Sequence, residues 1–168
     1  MKILHCADLH MDSPMETHMT REQAAKRNAE ILMSFQRMTE YAEKEKVRVV
    51  LIAGDLFDGE RVTRRTVESV LDAMRCTPQI DYLYVSGNHD DQTNAFADQE
   101  IPENFKRFTD KWNTIEYGDV AVSGIEITKN NASTLYEQLP AQKSRVNIVM
   151  LHGQISSACG VDQVNLNL

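Results

Sequence analysis

The chain has 168 residues, of which 42% are hydrophobic, and a formal net charge of −7. That length supports one domain with a sizeable core, and no run reaches the roughly 18 apolar residues of a membrane-spanning helix. The acidic balance excludes a surface coated for non-specific nucleic-acid binding, but not a local basic patch or carboxylates neutralised by cations. Cys6, Cys76 and Cys159 are odd in number and widely spaced. They fit neither a disulfide framework nor a zinc ribbon, and read as free thiols in a reducing cytoplasm. Met1-Lys2 leads straight into an apolar segment with no secretory signal pattern.

In chain order, Lys2 to Ala7 reads as a short strand. Thr20-Arg21-Glu22-Gln23 is a capping box. Beyond it Ala24, Ile31, Phe35, Met38 and Ala42 form a helical stripe reaching Lys46. Val47 to Ala53 is apolar and β-branched, a second strand. Thr63 caps another helix, with Val67, Val70, Leu71 and Met74 on its apolar face, and Ile80 to Val85 is a third strand. A short helix is expected around Asn104 to Phe108. Alternation between Ile115 and Thr128 suggests antiparallel strands, Ala132 to Gln138 one or two helical turns, and Val146 to Leu151 a further buried strand. Strands separated by single helices predict right-handed βαβ units and a parallel sheet. The fold class is α/β, layered, with a mixed β-sheet core flanked by helices.

The strand ends carry the chemistry. The first is followed by Asp8-Leu9-His10, the second by Gly54-Asp55-Leu56-Phe57-Asp58, the third by Gly87-Asn88-His89-Asp90, and the last by His152-Gly153. In open α/β sheets ligands bind outside the carboxyl ends of the strands. Asp8, His10, Asp55, Asn88, His89 and His152 therefore converge on one edge. The set offers oxygen and nitrogen donors without a thiolate, which suits Mn²⁺, Fe or Zn²⁺. A carboxylate such as Asp55 can bridge two cations about 3.5–4 Å apart, an arrangement that stabilises both oxygens of an in-line displacement at phosphorus. Asn88 offers a carbonyl oxygen to a metal and leaves His89 to meet the substrate. Asp90 or Asp91 is expected to orient a histidine.

Two further groups are ambiguous. Arg61, Arg64 and Arg65 follow GDLFD around a helix N-terminus, where cations oppose the helix dipole. Either they meet a substrate phosphate, or they belong to a solvated basic loop. Met11, Met15 and Met19 read as mobile gap-fillers rather than soft-metal ligands.

In that order, DLH, GDLFD, GNHD and LHG resemble the calcineurin-like metallophosphoesterase superfamily. HCADLHMDSP together with GDLFD most resembles its SbcD-type DNA repair exonuclease branch. The resemblance implies that Asp8 and His10 bind a first metal, that Asp55 bridges, and that Asn88 and His152 bind a second. It places His89 over the substrate phosphate as general acid or transition-state stabiliser, with Asp58 and Asp90 supporting the site from behind. The superfamily's final Gly-His-x-His motif does not occur in the sequence. Residues 1–168 are therefore expected to be the N-terminal portion of a catalytic domain, without capping or partner-docking segments.

The expected function is a two-metal phosphodiester hydrolase, a DNA exonuclease or endonuclease of repair, using two divalent ions with Mn²⁺ foremost. The alternatives are a phosphatase or a cyclic- or small-nucleotide phosphodiesterase, and a non-catalytic phosphoesterase module. Implied partners are DNA, an SbcC-type ATPase and a second copy of the chain, in the cytoplasm and not at a membrane.

Overall fold

The computed structural model describes residues 1–15, 19–58, 62–90, 95–135 and 137–153. The elements are β1 (Ile3–Cys6), α1 (Arg21–Lys44), β2 (Val49–Ala53), α2 (Arg64–Arg75), β3 (Asp81–Val85), β4 (Phe105–Arg107), β5 (Asn113–Tyr117), β6 (Val120–Gly124) and β7 (Val146–Met150). Helix α1 starts at the capping box. Thr20 Oγ1 accepts the Gln23 amide at 3.2 Å, and the Thr20 amide donates back to Gln23 Oε1 at 2.8 Å. Its end is set by Lys46, which turns left-handed at φ 56°, and by the Val47 amide donating to the Ala42 carbonyl at 2.8 Å. The Thr63 side chain caps α2 by accepting the Thr66 amide at 3.2 Å.

Strands β1, β2, β3 and β4 pair in that order, all parallel. Strands β5 and β6 form an antiparallel hairpin, and β7 pairs parallel to β6 in a second sheet. Strands β2 and β3 are buried on both faces, which explains their nearly unbroken apolar runs. Alternate residues serve opposite cores. Val50, Ile52, Tyr82 and Tyr84 pack with the helices, whereas Val49, Leu51, Leu83 and Val85 pack against Phe108, Val122 and Met150. The layers are thus helices, parallel sheet and mixed sheet. The expected α/β class is present, with both helices on one face of the parallel sheet and the second sheet on the other.

Two local expectations are corrected. Asn104 to Phe108 is not helical; it carries β4. Phe105 and Phe108 are spaced like one helix face but enter different cores, on opposite sides of the sheet. The reason lies in Asn104. Its carbonyl accepts the Tyr82 amide at 2.7 Å, which lays the segment alongside β3. Its side-chain amide donates to the carbonyls of Met74, Thr77 and Ile80 at 2.9, 3.1 and 2.9 Å. Residues 132–135 and 137–138 form linked turns rather than an α-helix. There Asn131 competes for the backbone: its Oδ1 accepts the Thr128 amide, and its Nδ2 donates to the carbonyls of Asp110 and Glu126.

The two sheets are also tied at the end remote from the strand-end motifs. Asp81 Oδ2 accepts the Tyr117 hydroxyl at 2.7 Å and pairs with Lys106 at 3.0 Å and Arg48 at 3.3 Å. Burial, with the Asp81 carboxylate beside it, holds the Tyr117 phenol well above its usual range, so it remains a donor.

Asn104→Ala would strip a buried donor from three carbonyls. The expected result is a loss of about 1–3 kcal/mol of unfolding free energy, read by urea denaturation. An unchanged midpoint would show that water replaces the amide.

Candidate metal centre

Beyond the last paired residues of β1 and β2, the two chain segments stay side by side. The amides of Asp8, His10 and Met11 donate to the carbonyls of Gly54, Asp55 and Leu56 at 3.0–3.1 Å, and the Asp58 amide returns to the Met11 carbonyl at 3.0 Å. This ladder brings DLH against GDLFD. It also buries Met11 to 1% exposure in the helix-side core, so Met11 is a fixed packing residue and not a mobile gap-filler. Within the ladder Asp8, His10 and Asp55 adopt left-handed φ values of 54°, 45° and 51°. A non-glycine residue there costs about 1–3 kcal/mol and persists only where the surroundings over-determine it. The twists turn all three side chains out of strand geometry toward a common point.

Asp55 is that point. It is buried to 4% exposure. Its Oδ2 lies 3.7 Å from His10 Nε2 and 3.5 Å from His152 Nε2, and its Oδ1 accepts the His89 amide at 3.2 Å. Two glycines make room for it. A methyl group on Gly87 would run into the Asp55 carboxylate and amide, and one on Gly54 would run into the His152 ring.

Donor atoms gather in two groups, His10–Asp55–His89 and Asp8–Asp55–His152, each within 4.8 Å. Asp55 belongs to both. A shared carboxylate between two sets of imidazole and carboxylate donors is what a pair of divalent ions needs, so the residues fit the metals that the sequence implies. Neither group contains both Asp8 and His10, which the resemblance assigns to one metal. Asn88 is half-buried on the loop after β3, next to His89.

The histidines are oriented from behind. His152 Nδ1 lies 2.9 Å from the Ala53 carbonyl, which can only accept, so Nδ1–H donates and Nε2 is left toward Asp55. His89 Nδ1 lies 2.9 Å from Asp58 Oδ1, and His10 Nδ1 lies 3.9 Å from the same oxygen. Asp58 thus stands behind His89 and within 3.9 Å of His10. Asp90 instead holds backbone: it accepts the amides of Leu56, Phe57 and Gly87 at 3.2, 2.8 and 2.9 Å, locking the loops after β2 and β3 together. Asp91 lies outside the described residues. Burial raises the Cys6 thiol to about 11, so it stays protonated at neutral pH.

Two of the three arginines lie among the described residues. Arg64, the first residue of α2, pairs with Glu68 at 2.8 Å on an exposed helix face, so its cation is compensated locally. Arg65 is exposed on the same turn, and Arg61 lies outside the described residues. One feature had no signal in the sequence. Ser86 donates to Glu126 Oε1 at 2.5 Å, tying the loop after β3 to the end of β6 across forty residues.

A model of calcineurin-like phosphoesterases matches residues 1–167. The chain belongs to the calcineurin-like phosphoesterase family. The family is one of metal-dependent phosphoester hydrolases. The chain is 28% identical over 177 residues to the uncharacterized metallophosphoesterase YhaO of Bacillus subtilis, covering 96% of this chain and 43% of that protein. It is 34% identical over 92 residues to the DNA double-strand break repair protein Mre11 of Aeropyrum pernix, covering 53% of this chain and 21% of that protein. To the Mre11 protein of Sulfolobus acidocaldarius it is 27% identical over 162 residues, covering 90% and 41%. The chain thus spans less than half the length of each of these phosphoesterase relatives. Among the described residues no helix is long and apolar enough to cross a membrane.

The close approach at Gly87 makes a specific demand. Gly87→Ala is expected to displace Asp55 and to weaken Mn²⁺ binding by at least about tenfold, since overpacking against buried backbone is not absorbed freely. Calorimetric titration of Mn²⁺ measures this, and unaltered affinity would show that the loop after β3 can retreat.

Proposed function

We propose that residues 1–168 form a metallophosphoesterase catalytic unit that hydrolyses phosphodiester bonds in DNA as a repair nuclease. The observation that carries this is the buried Asp55 carboxylate, whose Oδ2 lies 3.7 Å from His10 Nε2 and 3.5 Å from His152 Nε2. Two divalent cations held there, Mn²⁺ foremost with Fe or Zn²⁺ also suited to the donors, supply Lewis acidity and neutralise charge on the attacking and leaving oxygens. Asp8, His10, Asp55, Asn88 and His152 hold the ions. His89, its Nδ1 fixed by Asp58, presents Nε2 to the substrate and hands a proton to the leaving oxygen. Asp90 keeps the loops after β2 and β3 in register so that Asp55 and His89 stay in place.

The DNA reading is supported by the SbcD-like motifs and by the likeness to two proteins named for double-strand break repair. With it come an SbcC-type ATPase and a second copy of the chain as partners, and a cytoplasmic site of action. Arg61, Arg64 and Arg65 are the basic residues offered to a DNA phosphate from the α2 side; charge reversal at all three is expected to weaken DNA binding.

Mn²⁺-dependent release of nucleotides from linear DNA, abolished by a chelator, is expected of the protein that carries this chain. Hydrolysis of a phosphomonoester with DNA left intact would replace the nuclease with a phosphatase. Asp55→Asn is expected to remove tight binding of both ions in a calorimetric titration; retention of two ions would end the bridging role. His89→Ala is expected to keep both ions while lowering turnover of a generic phosphodiester by roughly 10²–10⁴-fold. Loss of an ion instead would make His89 a ligand.

A further inference from the structure

We propose that the cavity walled by Trp112, Ile125 and Leu135 is a subsite for an unpaired nucleobase of the strand being cut. The inference rests on the nuclease reading and deepens it. The cavity has a volume of about 380 Å³, within the range of about 300–1,000 Å³ usual for ligand clefts.

Topology puts it on the same edge as the candidate metal centre. Trp112 directly precedes β5, whose first residue pairs with the last residue of β6, and Ile125 directly follows β6. Strand β6 is parallel to β7, so the end of β6 and the end of β7 share that edge. Leu151 packs into the small cluster formed by Ile125, Leu135 and Trp112, and Leu151 immediately precedes His152. On the other flank, Glu126 follows Ile125 and accepts the Ser86 hydroxyl, two residues before Asn88.

The lining suits a flat, partly polar ligand, with one carboxylate, Asp110, beside one cation, Lys111. The Trp112 indole N–H is committed to the Leu135 carbonyl at 3.2 Å. What the residue still offers is π surface, which stacks with any base. Ile125 and Leu135 are buried, to 3% and 2% exposure, and supply an apolar wall. The Gln138 side-chain amide at the rim is suited to the polar edge of a base. Lys111 is exposed and makes no ion pair among the described residues, so its ammonium is available to a phosphate. The cavity is preorganised, because Asn131 pins the carbonyls of both Asp110 and Glu126. A base inside a duplex has its faces stacked and its edge paired and does not fit such a cavity; an unpaired one does.

Trp112 is the only tryptophan in the chain, so its fluorescence reports the cavity directly. The 168-residue chain would be titrated in chelator with thymidine 5′-monophosphate, hexathymidylate, an abasic hexamer, inorganic phosphate and a closed-end duplex. Saturable quenching by the first two alone is expected. Lys111→Glu should weaken hexathymidylate about tenfold, and Asp55→Asn should leave the quenching unchanged. No saturable quenching, or equal quenching by the abasic hexamer, overturns the subsite; equal quenching by the duplex overturns the requirement for an unpaired base. Hydrolysis of bis(p-nitrophenyl) phosphate with Mn²⁺ by the whole protein that carries this chain, followed in parallel, separates the two readings. Turnover without quenching removes the subsite and keeps the nuclease. Quenching without turnover keeps base binding and removes the nuclease.

Discussion

The burial of one carboxylate organises this molecule. Asp55 is almost fully removed from water, and a charged group in that position is tolerated only with partners on every side. The chain supplies them from three strand ends: His10 after β1, the His89 amide after β3 and His152 after β7, while Asp8, a second carboxylate, shares a donor group with Asp55 and His152. Each of these approaches requires something local. Left-handed turns at Asp8, His10 and Asp55 aim the side chains, and glycines at 54 and 87 remove the methyl groups that would block them. Strain, close approach and buried charge are thus concentrated at one place. They are sustained by the rest of the fold, and they are the mark of a site kept for chemistry rather than for stability.

What sustains them is the double-sided burial of β2 and β3. With apolar side chains entering a helix-side core and an inter-sheet core in alternation, neither strand can slip by one residue without sending each set into the core shaped for the other. Register fixed along the strands fixes where they end. Asp90 then converts two strand ends into one rigid rim by accepting amides from both loops. The second sheet completes the site by delivering His152, and the Ser86–Glu126 and Asn131 contacts carry the rigid rim onward to the Trp112 cavity. Metal centre and cavity are therefore parts of one edge rather than separate features.

The sequence by itself determined a good deal. Apolar runs, alternation and the 3.6 period place both helices and the strands β1 to β3 and β5 to β7, although β7, expected to be buried, is largely exposed with only Met150 buried. The polar motifs at four strand ends are legible for a different reason: charged and imidazole side chains directly after apolar runs have little other physical purpose. The tertiary structure decided the rest. Phe105 and Phe108 carry helical spacing, yet Asn104's bonds to three distant carbonyls make the segment a strand, and such a preference is invisible along the chain. Asp58 stands behind His89, because loop geometry and not sequence adjacency sets which carboxylate faces a ring. Which donors group around Asp55, the Ser86–Glu126 tie and the Trp112 cavity all depend on residues far apart in the chain being brought to one edge. Local sequence encodes what each segment buries; only the packed sheets decide what its exposed ends meet.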